Sequence, residues 1–238
     1  MPTSNNTIFQ LSRDEIINAA YRKLLVLGVD QAADANQLSK GAQALNAIVA
    51  TFQTLGMSLW ARKELAITMV ASQRDYTIGI GQTIAQPFPL RVYSAVIKSS
   101  ATASQTDLDM VARADFNLLS SISTGLPVAA TYQPFVNYGV LSVWPTPPSV
   151  LVGVPTVTIT YQAPFQYFIA GVDTPDFPQE WTNALIYALA VSLAPENGLP
   201  VADRADLKQD AKVHLETALS NGGEDGSIYF GKDWAGSQ

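Results

Sequence analysis

Cysteine is absent from this 238-residue chain, and histidine occurs once, at His214. Without cysteine there are no disulfide frameworks, thiolate nucleophiles, iron–sulfur clusters or cysteine-type zinc sites, which fits a reducing compartment. Charge is scarce too. Asp, Glu, Lys and Arg make up 14% of the residues, where a soluble domain carries about 25%. The apolar share is an ordinary 47%, so Ala, Ser, Thr, Gln, Gly and Pro fill the gap. Such a coat favours a protein covered by copies of itself or by partners. No apolar run reaches the roughly 20 residues of a membrane span; the longest, 184–195, is broken by Ser192. Clustered positive charge is missing as well. The 14 Lys and Arg against 20 Asp and Glu leave a net charge of −6, which argues against wrapping nucleic acid. The first six residues carry neither a basic region nor an apolar run, so no signal peptide is expected. These absences predict a soluble intracellular product, one large domain or two small ones, able to bury a real core.

Periodicity is what the sequence does have, and it reads as helices, then strands, then helices. Ser12-Arg13-Asp14-Glu15 has the spacing of a capping box. Ile16, Ala20, Leu24 and Leu27 follow on one helical face, with Gly28 as the expected left-handed C-cap. Asp34 is the next N-cap candidate, before Leu38, Ala42, Leu45, Val49, Phe52 and Leu55, with Gly56 as the stop. Strands are expected at 65–70 and 75–78 around a polar turn at Ser72-Gln73-Arg74, then at 90–98, 129–132, 140–144 and 157–161. A short helix is expected at 113–121. Prolines crowd this region and exclude long central strands. A third long helix starts at Pro178 and a fourth at Asp203. The expected fold class is α+β: an antiparallel four-helix bundle with an inserted β-rich module of short strands and an extended C-terminal tail. The domains are then 1–60 with 176–222 for the bundle, 61–175 for the module and 223–238 for the tail.

The search for chemistry finds little. A Ser/His/Asp constellation would need His214, which falls on the apolar stripe of the fourth helix and reads as a packed or interface histidine. No Walker loop, G-x-G-x-x-G or H-E-x-x-H occurs. Hydrolysis by carboxylates alone needs two acids at a suitable separation, and Glu15, Glu64, Asp75, Asp107, Asp109, Asp173, Asp176 and Glu180 form the pool. Asp107 and Asp109 share a strand face, and Asp173 with Asp176 are candidates for a cation. Helix capping and loop solvation account for most of these acids, so no catalytic residue, cofactor or metal is assigned. The tail is more telling. Ile228, Tyr229, Phe230 and Trp234 are large anchors among glycines, suited either to a partner's surface or to folding back on the tail's own bundle. Ala-rich helix faces, among them Ala184 and Ala188, allow close helix approach.

An ordered set of short motifs runs through the chain: Gly56 and Trp60, Tyr76-Thr77-Ile78-Gly79, Asp115-Phe116, Gly125-Leu126-Pro127, Tyr132, Leu141-Ser142-Val143-Trp144-Pro145-Thr146-Pro147, Thr160-Tyr161 and Phe177-Pro178-Gln179-Glu180-Trp181. In order and spacing it resembles the head-to-tail adaptor proteins, or tail accessory factors, of short-tailed bacteriophages, over about residues 12–220. The resemblance implies a virion protein at the head-tail junction, assembled in the host bacterial cytoplasm as a homo-oligomeric ring of about twelve copies under the portal. Its implied partners are the portal protein, a tail nozzle or fibre protein and itself. DNA would pass through the lumen without specific binding, and no membrane is involved. In the family a C-terminal segment grips the portal, a role that falls by position on Ile228, Tyr229, Phe230 and Trp234. Tyr132 and Trp144 are candidate subunit or tail contacts. The reading is a structural connector that closes the packaged head and serves DNA ejection, not an enzyme. Its alternatives are a carboxylate-dependent glycan or peptidoglycan hydrolase and a glycan-binding tail module. Charge is scarcest in the strand region and the third helix, where subunit and partner contacts are expected.

Overall fold

The computed structural model describes residues 9–54, 59–98, 105–150 and 155–221. Helix α1 (Arg13–Lys23) begins as its sequence requires: the Glu15 N–H donates to Ser12 Oγ at 3.4 Å and the Ser12 N–H to Glu15 Oε2 at 2.8 Å. It ends earlier than Gly28. Leu24 is the C-cap and Leu25 takes the left-handed conformation, φ 58°, which returns Val26 to the core. Helix α2 (Ala35–Thr54) is capped by Asp34, whose Oδ1 accepts from the Gln37 N–H at 2.8 Å while Gln37 Oε1 accepts from the Asp34 N–H.

Next come β1 (Arg62–Thr68), β2 (Asp75–Ile78), β3 (Arg91–Lys98), β4 (Gln105–Met110), the short α3 (Arg113–Leu118), β5 (Ala129–Pro134), β6 (Gly139–Trp144) and β7 (Thr156–Gln162). A 3-10 turn at Gln179–Trp181, entered from Pro178, leads into α4 (Thr182–Leu193), and α5 (Val201–Asn221) closes the described chain.

The expected four-helix bundle with an inserted module of short strands is not what the chain forms. It is a mixed α/β protein with five helices, among the described residues, and one curled seven-stranded sheet in the order β1-β7-β3-β4-β5-β6-β2. Two physical reasons overturn the bundle. Only β3 with β4 and β5 with β6 pair as antiparallel sequence neighbours: β1 pairs with β7, β7 with β3, β2 with β6, and β4 with β5 in parallel, so most of the ladder is long-range. The helices do not close around a common axis either. Helix α4 is apolar on nearly all sides and lies central, packed by α1, α2 and α5, and an open groove separates α2 from α5.

The curl follows from the chain's own reach. Strands β1 and β2, consecutive in sequence, lie at opposite edges. A flat seven-stranded sheet would be about 29 Å wide. Here the edges are joined by residues 69–74, folded tightly enough that the Tyr76 hydroxyl accepts from the Val70 N–H at 3.0 Å and donates to the Gln73 carbonyl at 3.2 Å. Only a sheet rolled towards a half-barrel brings its edges so near. Its inner face is filled by Ile67, Tyr76, Ile97, Leu141, Val143 and Ile159, at alternate strand positions.

A second core joins the helices, centred on Ile16, Leu45, Leu185 and Leu189. An aromatic cluster borders the sheet: Trp60 stacks on Phe165 with centroids 4.8 Å apart, and Phe177, Trp181 and Phe52 meet them edge-on or tilted. Two side chains of α2, Asn46 and Gln53, two turns apart, stitch the irregular segment leaving β7 to the helices. Asn46 exchanges hydrogen bonds with both backbone groups of Phe168, and Gln53 Oε1 accepts from the Phe165 N–H at 3.0 Å. The sheet therefore has an end near the helices, at Ala61 and Ala163, and a far end, at Met69 and Pro155.

Candidate interaction surface

The acidic residues are dispersed, and several are already engaged. Glu15 completes the α1 capping box, and hydrogen bonds from the Ser12 backbone and side chain hold its carboxyl below the usual range. Asp173 Oδ2 accepts from the N–H groups of Ala170 and Ile169 at 2.6 and 2.7 Å, which lowers its carboxyl in the same way. These bonds build a backbone turn, which accounts for Asp173 without a cation. Asp75 accepts from Ser142 Oγ. Glu64, Asp107, Asp109 and Glu180 are exposed, with Asp107 and Asp109 on one face of β4. Among the described residues no three metal-binding side chains gather to hold an ion. His214 stacks on Tyr187 with ring centroids 4.4 Å apart, and the Lys23 ammonium lies 4.8 Å over the same ring. That is a packing arrangement.

Tyr132 and Trp144 are both committed to the fold. The Tyr132 hydroxyl donates to the Pro89 carbonyl, and its ring covers Gly139 so closely that a Cβ there would overlap it. Burial pushes this phenol far above its ordinary value. Trp144 donates from Nε1 to the Ser120 carbonyl at 2.8 Å. That bond ties down the connection between α3 and β5, which Gly125 and Thr146 brace further through the bonds Gly125 N–H to Thr146 O and Thr146 N–H to Ser123 O. Ile228, Tyr229, Phe230 and Trp234 lie outside the described residues.

What Trp144 holds in place is of more interest than Trp144 itself. From 116 to 172 the sequence contains no Asp, Glu, Lys or Arg. The part of that stretch anchored by Trp144 exposes Leu118 (85%), Ile122 (87%), Leu126 (52%) and Val128 (49%). It lies at the far end of the sheet. The Ser72 N–H donates to the Pro147 carbonyl there, and the Arg74 guanidinium sits 4.7 Å over the Phe116 ring of α3. Val70 and Val150, both exposed, belong to the same end. Single exposed apolar residues are ordinary; a braced loop that presents three beside a fourth at the end of α3, in a stretch without charge, is not. The contacts expected in the charge-poor strand region were Tyr132 and Trp144; the exposed apolar residues of the segment that Trp144 holds were not among them. The uninterrupted absence of charge was the available signal.

A second apolar concavity lies in the helical layer, between α2 and α5 over α4, with a volume of about 310 Å³. No described helix is long and apolar enough to cross a membrane. The chain matches no protein-family model and no curated protein.

Proposed function

We propose that the chain is a structural connector, a subunit of a homo-oligomeric ring at the head-to-tail junction of a short-tailed bacteriophage, whose chemistry is association and not turnover. The observation that carries this reading is the uncharged stretch 116–172 with its braced far-end loop. Desolvating Leu118, Ile122, Leu126 and Val128 costs little, because no charged group of that stretch must be stripped of water with them. The resemblance of the motif order supplies the rest of the proposal: a portal above, a tail nozzle or fibre below, and DNA moving through a lumen that does not bind it. A net charge of −6 suits such a lumen by repelling phosphate.

Native mass spectrometry of the chain mixed with portal protein tests the reading. A cyclic assembly is the expected result, and the paired changes Leu118→Asp and Ile122→Asp should weaken subunit association at least tenfold while the melting transition stays in place. Persistent monomer with no portal binding would overturn it. So would peptidoglycan turnover lost on Asp107→Asn or Asp109→Asn, or binding of host glycans by the chain alone.

A further inference from the structure

The groove between α2 and α5 exists because the floor beneath it is small. Ala184 and Ala188, one turn apart on α4, leave a trough whose walls are Ile48 and Phe52 on one side and Ala211 and Leu215 on the other. At about 310 Å³ it is at the lower limit of pockets that bury a small ligand, roughly 300–1,000 Å³. It suits a few apolar side chains, not a folded partner. We infer that its occupant is the C-terminal segment of the same chain, with Ile228, Tyr229 and Phe230 as the side chains that fill it.

Three observations single out this occupant. The first is position: α5 ends at Asn221, and Leu215 lies about 1.7 turns before it, about 9 Å along the axis at 1.5 Å per residue. The second is the order of residues that follow. Gly222 and Gly223 come directly after the helix, where left-handed backbone is needed to turn a chain back on itself. Ile228 then arrives seven residues past Asn221, a reach of up to about 24 Å, ample for the return. Ile228, Tyr229 and Phe230 form the one run of three large apolar residues beyond Asn221. The third is charge. Glu224 and Asp225 stand between the glycines and that run, and Lys212 lines the groove they would pass.

Docking of the segment covers the partly exposed Ile48, Ala211 and Leu215 in the free protein, beside Phe52, which is already buried, and keeps the anchors out of water. If the portal takes the same anchors, groove and portal compete for them; that consequence alone rests on the connector reading.

The absence of native cysteine makes the test direct. In the full chain carrying Thr51→Cys, at the groove's edge on α2, and Ser227→Cys, mild oxidation should give a disulfide within one chain, at monomer mass. Crosslinks only between chains would assign the groove to a second copy's segment, and no crosslink would leave it without this occupant; either overturns the inference. Hydrogen exchange on the unaltered full chain is the second measurement. Amides of residues 228–230 should exchange at least tenfold more slowly than in an unstructured peptide, and that protection should vanish in Ala188→Trp. Exchange at the peptide rate in the unaltered chain would overturn it. Both measurements use the isolated protein without portal, so their failure and that of the connector reading are distinct.

Discussion

Leu25 holds a left-handed backbone, φ 58°, with its side chain 89% exposed. For a non-glycine residue that conformation costs about 1–2 kcal/mol, and no packing returns it. Leu25→Gly should therefore raise stability by about 1 kcal/mol, read from the urea midpoint. Gly28, three residues on, looked like the natural C-cap, but the buried Leu24 and the inward turn of Val26 end the helix first. The other end of α1 was fully legible, because a capping box is a local pattern. Ser12→Ala should cost about 1 kcal/mol at neutral pH. The same change should alter the acid limb of stability. Glu15 titrates below its unfolded value, near 4.3, so its contribution is present above that value and lost as pH falls through the folded one. Stability of the unaltered protein should fall over that window, and less steeply in Ser12→Ala. Asp173, lowered in the same direction by the Ala170 and Ile169 N–H groups, keeps the slope from vanishing.

Among the elements, the helices and most strands could be read from period alone, since 3.6 and 2 are properties of neighbouring residues. Partnership could not. Strand β4, with Gln105, Asp107 and Asp109 exposed and only Leu108 buried, carries too weak an alternation to announce itself, yet it bridges the two halves of the sheet by pairing with both β3 and β5. The loop after α3 shows the same divide. Its lack of charge is visible in the sequence; its bracing by Trp144 is not. Trp144→Phe keeps the ring and removes the bond to the Ser120 carbonyl. It should cost about 1 kcal/mol and speed hydrogen exchange at Gly125 and Thr146, while β7 amides keep their protection. Uniform acceleration across the sheet would show that the loop is not held by this bond. Trp60, Tyr76, Tyr132, Trp144, Phe177 and Trp181, drawn from the motifs that carried the family resemblance, all serve packing or bracing here.

The whole molecule is organised by two hydrophobic cores, one inside the curled sheet and one around α4. Leu141 and Leu185 are both fully buried, one in each. Leu141→Ala and Leu185→Ala should each cost about 2–5 kcal/mol. Combined, they should add to within about 0.5 kcal/mol, as sites with no shared partners do; a larger interaction energy, measured by urea unfolding of the double variant, would mean that the cores act as one. By itself the sequence determined the caps, the periods, the apolar positions and the long stretch without charge, because each depends on residues close along the chain. It also determined that a run of large apolar residues follows a pair of glycines after α5. Only the tertiary structure decided that β1 and β2 part to opposite edges, that the sheet rolls up to accommodate their short connection, and that α2 and α5 stand apart over two alanines instead of closing a bundle. Those outcomes turn on which distant surfaces meet. That choice is made by burial and loop closure over the whole chain, which no local pattern encodes.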